Sequence, residues 1–209
     1  HILTTITSVS ALRYTRLDTT TTDTLTTTVD ITAGAGETNS FGASANHSAI
    51  TKGTNGNLYA GVHDSGTTGD ISLIKRCTTT CTTGSNWTPI ADSGAGTDAP
   101  DILALRNQDL LLLVPLSSVL YTSGQVMAIR FQALITDIID YNIYNPVLGT
   151  WAGWTTIDAA AINNITYDTH WGVTLDRPTG DLYLVYAQQV DALGGANDDI
   201  ETARFNAGT

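Results

Sequence analysis

The stretch HSAIT at residues 47–51 is followed by GNLYAGVH at residues 56–63 and by ISLIK at residues 71–75. Each piece is short and rich in apolar or β-branched side chains, which is typical of a β-strand. The dipeptide Asn55-Gly56 between the first two pieces readily adopts positive φ, as a tight hairpin turn requires. The stretch therefore predicts an antiparallel meander of consecutive strands.

The same order of strands and turns recurs twice further along the chain. The second copy comprises DILAL at 101–105, DLLLLV at 109–114 and QVMAIRF at 125–131, and the third comprises HWGVTLD at 170–176, GDLYLVY at 180–186 and IETARF at 200–205. An all-β unit of about 40–60 residues that repeats in this way is typical of propeller blades. The sequence predicts an all-β fold, a β-propeller of four-stranded antiparallel blades.

The 209 residues are expected to form one propeller domain with blades at 1–46, 47–99, 100–169 and 170–209, the first and last incomplete. The segments 2–7, 11–17 and 24–31 are interpreted as the second, third and fourth strands of the first blade. The missing pieces at the two ends do not complement each other, which favours an excerpt of a larger propeller over a closed four-bladed ring. The insert at 133–153 is expected to hold either a helical turn or an extra hairpin.

Composition and charge limit the partners. Charged residues make up only 14% of the chain, the net charge is −11 and the isoelectric point is near 4.4. A chain with so few basic residues is a poor partner for nucleic acid or anionic membranes. The chain also lacks a run of about 18 apolar residues, which is what would predict membrane insertion. The acidic, Thr-rich composition favours an extracellular or cell-surface protein, with a glycan or another surface protein as partner.

Two cysteines lie close together in CTTTC at residues 77–81. A local disulfide between Cys77 and Cys81 is the favoured interpretation, since the composition suggests an oxidising compartment. Free thiols are one alternative. A metal site is another, although two cysteines without a second ligand pair nearby fall short of four ligands.

The order of strands, the two cysteines and the NWT sequence at 86–88 resemble the repeat of bacterial surface proteins with sialidase-like (BNR-like) β-propellers. In sialidases an Asp-box, Ser-x-Asp-x-Gly-x-Thr-Trp, lies between the third and fourth strands of a blade. The corresponding stretches here are TGSNWT at 83–88 and VLGTW at 147–151. They keep the Gly and Trp of the motif and lack its Ser and Asp.

The resemblance implies that a catalytic sialidase needs an arginine triad, a Tyr nucleophile with a Glu, and an acidic Asp. Glutamate is nearly absent, with Glu37 in a Gly-rich loop and Glu201 at the start of a strand. Catalytic residues are therefore not assigned. Lys52, Arg106 and Arg177 each follow the first strand of their repeat, so a propeller would place them on one rim, where they could bind an anionic ligand or serve as ordinary turn residues.

Two further sets of residues are predicted ligand contacts. The aromatic side chains of Tyr141, Tyr144 and Trp151 lie in the insert, and exposed rings there could stack on sugars. The alternative for Trp151, as for the other tryptophans at repeat positions, is packing between blades. The loop at 191–199 offers Asp191, Asp198 and Asp199 as oxygen ligands for calcium, against the alternative of an ordinary polar loop. No other cofactor is expected.

These observations favour a non-catalytic recognition or adhesion module that binds carbohydrate. One alternative is a sialidase-like or other glycoside hydrolase whose site is completed outside this chain. A second is a structural repeat of a surface layer or filament.

Overall fold

A computed structural model of the chain describes residues 1–6, 11–20, 23–31, 45–64, 71–92, 110–116, 123–132, 138–158, 171–176, 178–179, 181–189 and 198–205. Within them the backbone forms strands that all pair antiparallel, together with one short 3-10 turn. The predicted all-β class is therefore confirmed. The predicted blade boundaries stay predictions, because the segments that join successive sheets lie outside the described residues.

Four sheets follow one another along the chain. The first contains β1 (Ile2–Ile6), β2 (Ala11–Thr15) and β5 (Val29–Asp30), with a small hairpin of β3 (Leu17–Asp18) and β4 (Thr24–Leu25) beside it; the second contains β6 (Ala45–Lys52), β7 (Leu58–Asp64), β8 (Ile71–Cys77) and β9 (Trp87–Asp92); the third contains β10 (Leu110–Pro115), β11 (Val126–Gln132), β12 (Ile138–Asn145), β13 (Thr150–Trp151) and β14 (Thr155–Asp158); the fourth contains β15 (Trp171–Leu175), β16 (Leu182–Gln189) and β17 (Asp198–Phe205).

The turn between β6 and β7 has the predicted chemistry. Gly56 adopts φ +87°, a conformation that glycine alone reaches without strain. Backbone hydrogen bonds close the turn, because Gly53 N–H donates to the carbonyl of Asn57 and Gly56 N–H to that of Gly53. The side chain of Asn55 accepts from the backbone N–H of Asn57. Local sequence is therefore sufficient to fix this hairpin.

The insert at 133–153 contains a hairpin, one of the two predicted alternatives, because β12 and β13 pair antiparallel across the turn at residues 146–149. Strand β12 pairs with β11 along its whole length and, on its other edge, with the short strands β13 and β14. Ile139, Tyr141 and Ile143 pack towards the fourth sheet, while Tyr144, the next residue, packs towards the second. This alternation with period two is that of a strand buried on both faces. The predicted strand at 102–105 lies outside the described residues.

The sheets stack face to face through three apolar cores. The first core joins the first and second sheets, the second joins the second and third, and the third joins the third and fourth. Neighbouring residues of one strand serve different cores: Leu58 and Ala60 pack towards the first sheet, and Tyr59 packs towards the third. Each middle sheet is thus covered on both sides, as a propeller blade is.

The first strands of three sheets lie side by side, since β6 contacts both β1 and β10. This arrangement corrects the interpretation of the N-terminal segment. Residues 2–7 were expected to form a second strand, but in the described sheet β1 pairs with β2 alone and contacts β6 of the next sheet, so it occupies the first position of the order β1-β2-β5. The strands β2 and β5 are correspondingly second and third among the described strands of that sheet.

Gly84, in the 3-10 turn Gly84–Asn86, lies directly on the backbone of β5. A Cβ atom at Gly84 would lie 2.3 Å from the carbonyl oxygen of Asp30. This oxygen belongs to the backbone, so it cannot move aside as a flexible side chain could. We expect Gly84→Ala to lower the free energy of unfolding by about 1–3 kcal/mol, because the first and second sheets must separate to admit the methyl group. Urea unfolding measures it, and Ser85→Ala at the exposed neighbouring position is the control. Equal effects of the two substitutions would contradict this contact.

Candidate functional site

A cleft opens between the third and fourth sheets. Its volume is about 250 Å³, and its lining comes from β12, β14, β16 and β17: Tyr141, Thr155, Thr156, Ile157, Leu182, Leu184, Ala203, Arg204 and Phe205. Several of these side chains belong to the third apolar core, so the cleft is the place where that core opens to solvent. It therefore combines apolar walls with access from outside.

Two aromatic rings meet in one wall of the cleft. The ring centroids of Tyr141 and Phe205 are 4.8 Å apart and their planes are inclined at 67°, an edge-to-face contact between the two sheets. Thr155 lies directly opposite Tyr141 in the β12–β14 pairing, so its hydroxyl shares that face of the sheet. The wall thus presents an aromatic surface beside a hydroxyl group.

Arg204 lines the cleft but its guanidinium is engaged on the other face of the fourth sheet. Its Nε donates to Asp181 Oδ2 at 2.9 Å, and its Nη2 donates to the same oxygen. The guanidinium also lies over the ring of Tyr183, its cross-strand neighbour. The hydrogen bonds to Asp181 and the charge of that carboxylate raise the pKa of Arg204. A ligand in the cleft therefore meets no free positive charge from this residue.

Of the predicted aromatic contacts, the structure brings only Tyr141 into the cleft. Tyr144 is buried between the second and third sheets, where its hydroxyl accepts a hydrogen bond from Arg76 Nη1 at 3.1 Å. Burial raises the pKa of Tyr144, and the nearby charge of Arg76 opposes that rise. Trp151 packs on Tyr144 with a centroid distance of 5.2 Å, and its Nε1 donates to the carbonyl of Ile90. The expectation of an exposed ring is wrong for Tyr144, which is buried. Trp151 is half-buried and packs between two sheets, as the alternative interpretation predicted.

Of the three basic residues that were predicted to share one rim, only Lys52 lies in the part of the chain that the structure describes. Lys52 is exposed at the end of β6, opposite Leu58. Arg106 and Arg177 lie outside the described residues. Anion binding by this set stays a prediction.

The predicted calcium loop is partly strand. Asp198 and Asp199 open β17, where their backbones pair with Gln189 and Gln188. Asp191 lies outside the described residues. The expectation that 191–199 is one continuous loop is corrected at its last two residues, and calcium binding stays a prediction.

The predicted disulfide is confirmed. Cys77 and Cys81 are bonded, with a Cα–Cα distance of 5.7 Å. Cys77 is buried in the first core beside Trp87, and the carbonyl of Cys81 accepts a hydrogen bond from Trp87 Nε1 at 2.9 Å. The bridge thus ties the end of β8 to the loop that follows it, and the hydrogen bond from Trp87 ties that loop to β9.

Phe205 and Thr155 are lining residues that the sequence did not single out. In β17 the pattern of Thr202, Ala203, Arg204 and Phe205 alternates between polar and apolar, which signals one buried face. That alternation identifies Phe205 as inward-facing. It does not reveal that Tyr141, more than sixty positions earlier, is the ring it meets.

Comparisons with known proteins identify the fold. No protein-family profile matches the chain, and no curated protein has a significantly similar sequence. Among solved structures, an α-L-arabinanase of Penicillium chrysogenum complexed with arabinobiose matches with a TM-score of 0.51 and 18% identity, over 78% of this chain and 46% of that one. A GH93 α-L-arabinofuranosidase of Fusarium graminearum matches with a TM-score of 0.48 and 14% identity, over 78% and 45%. A protein of unknown function from Dyadobacter fermentans matches with a TM-score of 0.45 and 15% identity, over 76% and 37%.

The chain thus spans less than half the length of the solved structures it matches. The similarity to the arabinanase, together with the stacked antiparallel sheets, confirms the predicted β-propeller fold. In the described part of the chain, no helix has the length and apolar character needed to cross a bilayer.

Proposed function

We propose that this chain is part of an extracellular or cell-surface recognition module, and that it binds a carbohydrate residue, without catalysis, in the cleft between the third and fourth sheets. The observation that carries the proposal is the wall formed by Tyr141, Phe205 and Thr155. A sugar ring has an apolar face of C–H groups and a rim of hydroxyls. An aromatic wall with an adjacent hydroxyl offers a complementary contact to each.

The size of the cleft supports a small occupant. Its volume of about 250 Å³ lies just below the range of roughly 300–1,000 Å³ that drug-sized ligands occupy. One sugar residue, the end or a branch of a longer glycan, suits such a cleft better than an extended oligosaccharide. The remaining units of the glycan would lie in solvent.

The lining supports binding over hydrolysis. Glycoside hydrolysis requires two carboxyl groups that flank the bond at roughly 5–9.5 Å. The described side chains that line this cleft include no carboxylate, and the buried Asp181 is committed to Arg204. Recognition without bond cleavage is therefore the function that this cleft supports best.

The kind of propeller that we propose is the sialidase-like (BNR-like) one of bacterial surface proteins. TGSNWT leads from the loop after β8 into β9, and VLGTW leads from the turn after β12 into β13; in each case these are the third and fourth strands of the sheet. This is where a sialidase blade carries its Asp-box. Trp87 and Trp151 each donate their indole N–H to a backbone carbonyl, so both stretches have a similar packing role. The disulfide is compatible with the proposed extracellular location.

A glycoside hydrolase completed by residues outside this chain is the second candidate. The similarity to an arabinanase that was solved with arabinobiose favours testing arabinan fragments first. Release of reducing sugar from arabinan by a longer protein that contains this chain, but not by the chain alone, would support this candidate over recognition alone.

Titration calorimetry with arabinobiose, followed by a glycan array with and without calcium, tests binding. For the glycan that binds, we expect Phe205→Leu and Thr155→Val to weaken affinity by about two- to tenfold each, because each removes a contact worth about 0.5–1.5 kcal/mol. Thr202→Val is the matched control, since Thr202 is exposed on the other face of β17. A folded chain that binds no glycan, or a Thr202 variant as weak as the Thr155 variant, would contradict this site.

A further inference from the structure

The inner end of the cleft is apolar, whereas its mouth carries a hydroxyl group. Leu182 and Leu184 line the cleft and are each only 1% exposed, so their side chains form its floor. Ile157 and Ala203 are half-buried and pack in the same core beside them. Thr155, in contrast, is an exposed lining residue. A ligand that enters the cleft therefore meets a hydroxyl group first and aliphatic side chains last.

The floor also lacks free hydrogen-bonding groups of the backbone. Strand β16 is the central strand of its sheet, and at Leu182 and Leu184 it pairs with β15 on one edge and with β17 on the other. Its N–H and C=O groups there are used within the sheet. Arg204 directs its guanidinium to Asp181 on the other face of that sheet. A hydroxyl group that reached this floor would lose its hydrogen bonds to water and find no replacement in the described lining.

These properties distinguish between classes of sugar. A hexose carries a primary alcohol at C6, and burial of that hydroxyl without a partner is unfavourable. A pentose in its ring form lacks a comparable carbon and would leave the floor unfilled. An acetamido group ends in a methyl, but its amide lies one bond away and would enter the same apolar surroundings. A 6-deoxyhexose has a methyl group at C6, whose burial against aliphatic side chains is favourable.

We infer that the cleft binds a 6-deoxyhexose, with the C6 methyl group on the floor and the ring hydroxyls at the mouth beside Thr155. This inference rests on the proposed carbohydrate binding and names the class of sugar for the same cleft. The C–H face of the ring then lies against the aromatic wall of Tyr141 and Phe205. Acidic sugars are disfavoured, because the guanidinium of Arg204 is already paired and the chain carries a net charge of −11.

Titration calorimetry with two matched pairs of methyl glycosides tests this inference. L-Fucose differs from L-galactose, and L-rhamnose from L-mannose, only by a methyl group in place of the CH₂OH group at C6. We expect at least one of the two 6-deoxy sugars to bind about tenfold or more tightly than its hydroxylated counterpart, as is typical of discrimination by an apolar pocket. The wild-type ratio alone is sufficient for this test.

A substitution on the floor should change that ratio. Ala203→Ser adds a hydroxyl group that can pair with the C6 hydroxyl of the counterpart sugar, so we expect it to reduce the preference for the 6-deoxy sugar by about threefold or more. Ala152→Ser is the matched control, since Ala152 is exposed and does not line the cleft. Far-UV circular dichroism and urea midpoints establish that both variants fold.

Three results would overturn the inference, and they separate it from the proposed function. Equal affinity within both pairs, or tighter binding of the hydroxylated sugars, would reject the 6-deoxyhexose while carbohydrate binding stands. Equal effects of Ala203→Ser and Ala152→Ser on the ratio would place the methyl group away from this floor. A folded chain that binds neither these sugars nor any glycan on an array would reject carbohydrate recognition itself, and the inference with it.

Discussion

Replacing Trp87 with alanine is expected to lower the free energy of unfolding by about 3–5 kcal/mol. Trp87 is the largest side chain among those that are fully buried in the described structure. It fills the core between the first and second sheets and lies against Tyr14, with ring centroids 5.2 Å apart. Alanine would leave a cavity there and an unpaired carbonyl at Cys81, which now accepts the indole N–H. Both losses act on the same interface.

Trp87→Phe separates the two contributions. Phenylalanine keeps a ring in the core but cannot donate to Cys81, so we expect a smaller loss than for alanine. Equilibrium urea unfolding measured by fluorescence of the remaining tryptophans gives both values on one scale. If Trp87→Ala costs less than about 1 kcal/mol, the typical effect of an ordinary substitution, Trp87 does not hold the two sheets together.

Features that depend on residues close in sequence were predicted successfully. The hairpin between β6 and β7 follows from Gly53 to Asn57 alone, since positive φ at Gly56 and the side chain of Asn55 close it locally. The disulfide joins cysteines four positions apart. The repeat itself predicted stacked antiparallel sheets, because each copy contains the same alternation of apolar strand and turn.

Features that depend on which sheets meet were not predicted. The segment around β12 was ambiguous because it is buried on both faces, so its apolar and polar residues alternate less clearly than in a strand with one wet face. Tyr144 was predicted to be exposed, and for Trp151 both sugar stacking and packing between blades were left open, because nothing in their own segment reveals Arg76 and Ile90, which they contact across the interface. The packing partner, not the local pattern, decides whether an aromatic side chain binds ligand or fills a core.

The cleft likewise depends on contacts between strands that are distant in sequence, which the sequence alone did not reveal. Tyr141 was singled out for its position in a distinctive segment, and the structure places it in the cleft. Its neighbours Phe205 and Thr155 come from two other strands, one in a different sheet. Their assembly depends on the register of β12 with β14 and on the stacking of the fourth sheet on the third. Neither can be read from a single sequence without known contacts.

Removing the disulfide by the double substitution Cys77→Ala with Cys81→Ala is expected to lower the free energy of unfolding by about 2–3 kcal/mol, the estimate for closing a short loop. Cys77 lies in the same core as Trp87, and Cys81 supplies the carbonyl that Trp87 binds. Loss of the bridge therefore also frees the loop that orients the indole. Reduction of the wild-type chain with dithiothreitol should reproduce the effect, with thiol release measured in parallel.

The variant without cysteines is the control for reduction, since dithiothreitol should not change its stability. A wild-type chain whose thiols are released without any shift of the urea midpoint would contradict a stabilising role for the bridge. Combining the cysteine substitutions with Trp87→Ala gives a further check. Both changes act on one hydrogen bond and one core. We therefore expect the loss of unfolding free energy in the combined variant to be smaller than the sum of the two separate losses. Full additivity would mean that the bridge stabilises the loop independently of the tryptophan.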